Sequence, residues 1–64
     1  GVYWKGKLTL TAGQSRLRSK LYSSGAVLTE EISSLGEYIL EVDFPKLELI
    51  RLLKADGQIL PIGN

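Results

Sequence analysis

The sequence predicts an α+β fold in which two helices cover one face of a small antiparallel sheet. Two stretches alternate apolar and polar residues with the period of a strand, at 3–10 and 37–44. Two others repeat apolar residues at helical spacing, one around Leu17 and Leu21 and one across 46–55. Glycine or proline stands at the joints between them, at Gly13, Gly25, Gly36, Pro45 and Gly57.

The first strand is Tyr3 to Leu10, with Trp4, Leu8 and Leu10 on one face and Tyr3, Lys5, Lys7 and Thr9 on the other. Thr11-Ala12-Gly13 breaks it, and either Thr11 or Ser15 can cap the helix that follows. That helix should end near Ser24, with Gly25 as its C-terminal stop. At 100° per residue Leu17 and Leu21 share its inward face, Arg16 and Lys20 fall on one flank, and Arg18 and Tyr22 fall on the other.

Ala26 to Ser33 reads as the second strand. Val27 shares a side with Thr29 and Glu31, while Leu28 shares one with Ala26, Glu30 and Ile32, and the Leu28/Ile32 side is expected to face the core. Ser34-Leu35-Gly36 supplies a hairpin turn. Glu37 to Phe44 follows as a half-buried strand, with Tyr38, Leu40, Val42 and Phe44 inward and Glu37, Ile39, Glu41 and Asp43 outward. Pro45 suits a first helical position, and the second helix runs to about Ala55 with Leu49, Ile50, Leu52 and Leu53 inward. Asp56-Gly57 ends it, and Gln58 to Ile62 can form a last strand, confined to a sheet edge by Pro61. The order is βαββαβ, the ferredoxin-like arrangement, over a single domain spanning 1–64.

A domain of 64 residues hides only about 60% of the surface its unfolded chain exposes, so its stability is modest. The sequence has no cysteine and no histidine, which removes disulfides and the usual zinc sites and fits a cytosolic protein. No apolar run reaches the roughly 18 residues of a membrane span, so no membrane partner is expected. Phosphate-cradling glycine loops are missing, and so are the common catalytic bases and thiol nucleophiles. The expectation is a non-catalytic chain with no small-molecule substrate, no bound cofactor and no metal of its own.

The net charge of +1 conceals a strong asymmetry. Residues 1–29 carry Lys5, Lys7, Arg16, Arg18 and Lys20 and no acid, whereas 30–64 carry seven acids against Lys46, Arg51 and Lys54. Such segregation marks either a polyanion-facing surface or two halves that pair across a sheet. With the first and third strands adjacent, Lys5 and Lys7 lie across from Glu37, Glu41 and Asp43, which consumes much of it. The cations of the first helix have no evident partner. Acids on the outer face of the third strand disfavour RNA binding there. Arg16, Arg18 and Lys20 are therefore either a merely solvated helix face or, if a nucleic acid is met, the better candidates for that contact. Tyr22 either covers the helix edge or meets a protein partner, and Ile39, apolar among acids, is the second protein-contact candidate.

Leu10, the run Arg16-Leu17-Arg18-Ser19-Lys20-Leu21-Tyr22, Ala26-Val27, Glu30-Glu31, Gly36, Val42, Pro45 and Arg51-Leu52 follow one another at fixed intervals. Taken together over residues 8–54, this pattern resembles the C-terminal domain of HflX-type GTPases. Thr11, Ala12 and Ser15 depart from it, since members often carry prolines at the first two positions and glycine at the third. The resemblance implies an accessory domain of a cytoplasmic, ribosome-associated GTP-binding protein. GTP and magnesium would then sit in an upstream GTPase domain of the parent. The implied partners are the large ribosomal subunit, met through rRNA or a ribosomal protein with Arg16, Arg18 and Lys20 as the first contacts and Lys5 and Lys7 as the second, and that GTPase domain. An open alternative is a ferredoxin-like regulatory or protein-interaction module.

Overall fold

The computed structural model describes residues 1–61. Its elements are β1 (Tyr3–Leu10), a 3-10 turn (Ala12–Gln14), α1 (Ser15–Ser23), β2 (Val27–Ile32), β3 (Tyr38–Pro45) and α2 (Lys46–Ala55). The three strands form one antiparallel sheet in the order β1-β3-β2. Among the described residues this is βαββα. The expected fourth strand is absent over Gln58–Pro61, which form no strand, and Ile62 lies outside the described residues. Leu60 nevertheless packs against the core.

The core lies between the sheet and the helices. Trp4, Leu8 and Leu10 of β1, Leu40 and Val42 of β3, Leu17 and Leu21 of α1, and Leu49 and Leu53 of α2 are all buried. The sequence places each of these inward by its period. Ile50 does not follow, remaining 37% exposed on a flank of α2.

Both helices stop by the same device. Past α1, the Ala26 amide donates to the Leu21 carbonyl and the Gly25 amide to the Tyr22 carbonyl. Past α2, Gln58 donates to Leu53 and Gly57 to Lys54. This six-to-one, five-to-two pattern requires a left-handed residue between, and Gly25 (φ 80°) and Gly57 (φ 74°) take that conformation without a Cβ clash. At the entry to α1 the Thr11 amide donates to Gln14 Oε1, so Thr11 caps the 3-10 turn, while Ser15 lies inside the helix. Pro45 is the last residue of β3 and the cap of α2 rather than its first helical residue.

The second strand corrects one expectation. Val27 pairs with Val42 and Thr29 with Glu41, so one step on β3 is matched by two on β2 and Leu28 is the extra, bulged residue. Val27 takes its place against the core, and Leu28 is 51% exposed. Past the bulge, Glu30 and Ile32 pair with Leu40 and Tyr38 and so face the helix side, but Ile32 is 67% exposed.

The opposite face of the sheet is open. There Lys5 stands across from Asp43, Lys7 from Glu41 and Thr9 from Ile39, with Glu31 flanking Ile39 from β2. Thr29 Oγ1 donates to Glu41 Oε1 at 3.3 Å. Opposite charges in register contribute about 0.2–1 kcal/mol per pair, so this face is balanced rather than cationic. Glu37 precedes the strand and takes no part in the register.

Candidate surface on the first helix

The helix α1 rests on the sheet through Leu17 and Leu21, and its two flanks meet different neighbours. One flank faces β2. Arg18 Nε donates to Glu30 Oε1 at 2.6 Å and its Nη2 to Glu30 Oε2 at 2.8 Å. The guanidinium also stacks on aromatic faces, with its carbon 4.4 Å from the Tyr38 ring centre and 5.2 Å from that of Tyr22. The expectation that the cations of this helix lack partners is thus corrected at Arg18. Its two-pronged fork matches a carboxylate, and the bulge-reset register turns Glu30 toward it.

The charges at this cluster tune one another. The hydrogen bonds from Arg18 hold the Glu30 carboxyl below its usual range, against the smaller opposing effect of burial. Burial pushes the Tyr22 phenol up, and the Glu30 carboxylate adds to that. Glu30 in turn raises the already high pKa of Arg18.

The other flank faces α2. Arg16 and Lys20 are exposed there, one turn apart, and neither makes an ion pair or side-chain hydrogen bond with a described residue. They border a recess of about 120 Å³ with Leu17, Leu52, Ala55 and Asp56. The Asp56 carboxylate instead accepts from Gln14 Nε2 at 2.9 Å.

The five sequence-predicted cations therefore divide three ways. Arg18 is spent inside the fold, Lys5 and Lys7 lie opposite acids on the open sheet face, and Arg16 and Lys20 remain together on the helix layer. Tyr22, 45% exposed, lies in the Arg18 cluster, while Ile39 is half-buried on the other side of the sheet. Sequence reasoning missed Glu30 as the partner of Arg18. The signal was present, because a carboxylate on a core-facing strand position requires a cation or donors nearby.

Among the described residues no helix is long and apolar enough to cross a membrane, and no group of three or more His, Cys, Asp or Glu side chains converges as a metal site. Compared with models of known protein families, with curated proteins and with solved structures, the chain matches none.

Proposed function

We propose that this chain is a non-catalytic accessory module of a larger, cytoplasmic GTP-binding protein of the HflX type. In that role it helps seat the GTPase on the large ribosomal subunit, through rRNA or a ribosomal protein, in ribosome dissociation or rescue. The observation that carries this reading is the pair Arg16 and Lys20, exposed and without an ionic partner among the described residues. Like charges at i,i+4 cost a helix a few tenths of a kcal/mol, and an anionic partner relieves that. The resemblance over residues 8–54 supplies the ribosomal context. GTP and magnesium would belong to the parent's upstream domain, and this chain itself needs no cofactor and no small-molecule substrate for such a role.

A labelled 64-residue chain, sedimented with purified large and small ribosomal subunits, tests the proposal. Retention by the large subunit that fades between 50 and 200 mM salt is expected, since Lys and Arg contacts to anions release counterions. Failure to pellet with large subunits at low salt removes the ribosomal role.

Ile39 favours a second reading. It lies between Thr9 and Glu31 on the open sheet face, apolar among polar neighbours. A protein-interaction module could use this face against its own GTPase domain. Amide shifts confined to residues 37–43 on adding that domain would support it.

A further inference from the structure

The two helices leave a groove between their outer edges. They run antiparallel: Gln14 Nε2 donates to Asp56 Oδ2 and to Gln58 Oε1 at one end, while Ser24 and Glu48 border one recess at the other. Along the groove lie two spaces that share Leu52 and Ala55. The one beside Arg16 and Lys20 measures about 120 Å³, and the one beside Phe44 and Arg51 about 310 Å³.

We infer that this groove seats a short acidic amphipathic helix, about two turns long, from a partner protein. The inference rests on the docking role given to α1 above and names its occupant. Four features of the groove select that chemistry.

The floor is built from the side-chain carbon of Leu17, Leu52, Ala55 and Phe44. Such a floor rewards burial of apolar side chains and offers a nucleic acid no donors for its bases or phosphates. The rims are the helices α1 and α2, and the strand that contributes Phe44 is the central one, paired on both sides, so no strand edge is available inside the groove. An occupant must satisfy its own backbone hydrogen bonds, which a helix does and an extended peptide does not.

Length and charge agree with this. From Arg16 to Ser23 the helix advances about 10 Å, the span between anchors at i and i+7 of a partner helix. Arg16 and Lys20 stand on one rim and Arg51 on the other, with Glu48 and Asp56 toward the ends. Carboxylates on both flanks of an apolar stripe would meet those three cations, which outnumber the two acids bordering the same recesses.

The test uses the 64-residue chain labelled with ¹⁵N and at its methyl groups. It is titrated with a synthetic helical peptide carrying leucine at i, i+4 and i+7 and glutamate on both flanks. A second peptide replaces the leucines by serine at equal charge, and a third titrant is a short RNA hairpin. The expected result is saturable methyl shifts at Leu17, Leu52 and Ala55 with the leucine peptide, and affinity at least tenfold weaker with the serine peptide. Ala55→Trp, at an exposed position that can take the bulk, should abolish the binding by filling the floor. Equal binding of both peptides, or persistence of binding in Ala55→Trp, overturns the groove. RNA that shifts Arg16 and Lys20 while the peptides are inert overturns it too, but leaves the ribosomal docking role standing. Inert peptides and RNA, together with no retention by large subunits, overturn both.

Discussion

Arg18 on α1 and Glu30 on β2 face each other fork to fork, with both oxygens of the carboxylate engaged at 2.6 and 2.8 Å. The pair links the helix layer to β2, one of the two edge strands of the sheet, and it subtracts one cation from the surface that a partner can meet. Because the side chains are 32% and 21% exposed, salt screens the attraction only in part.

Arg18→Lys retains the charge but cannot reproduce the planar fork or the stacking on Tyr22 and Tyr38. It should lower the urea midpoint, as should Glu30→Gln, and the two losses should not add in the double variant. Additive losses would mean that the two side chains act separately.

Acid and alkali should each remove part of the stability. The folded Glu30 carboxyl titrates below its ordinary 4.5, so its contribution is complete above that pH and drains away as pH falls through the lower folded value. The folded Tyr22 phenol titrates above its ordinary 10.0, so its contribution is complete below pH 10 and is lost as pH rises through the higher folded value. Urea midpoints followed by Trp4 fluorescence should show a shallower acid limb in Glu30→Gln and a shallower alkaline limb in Tyr22→Phe. Limbs unchanged from the parent chain would contradict the assignment.

Leu21 and Leu28 differ in what truncation should cost, although both are leucines in amphipathic runs. Leu21 is fully buried, and Leu21→Ala should cost about 2–5 kcal/mol. That is a large share of the roughly 3–10 kcal/mol that a chain this size has at about 0.05–0.15 kcal/mol per residue. Leu28→Thr, at the exposed bulge, should stay within about 0.5 kcal/mol. Chemical denaturation of the two variants side by side distinguishes them.

Period alone made most of this fold legible. The face of β1, the face of β3 and the Leu17/Leu21 stripe are local consequences of 2.0- and 3.6-residue repeats, and the stops at Gly25 and Gly57 follow from glycine's tolerance of positive φ. The wheel also separated Arg16 and Lys20 from Arg18 and Tyr22 correctly. What lay beyond it were facts about which element arrives beside which flank. The bulge at Leu28 is set by pairing with β3, and only that pairing turns Val27 inward and leaves Leu28 in solvent. Ile50 reads as inward because it neighbours Leu49, yet it lies about 100° around the helix from that residue and stays 37% exposed. The groove over Leu52 and Ala55 is likewise a property of two helices set side by side, which neither helix's own sequence encodes.

The central claim is that docking charge resides on the α2-facing flank of α1 and not on the sheet. Affinity for large ribosomal subunits, measured for the parent chain and for two double variants at one salt concentration, tests it most directly. Arg16→Ala with Lys20→Ala should weaken binding at least tenfold, whereas Lys5→Ala with Lys7→Ala should leave it within about twofold, because those lysines already stand opposite Asp43 and Glu41. Equal losses in the two variants, or a larger loss in the second, would contradict the account.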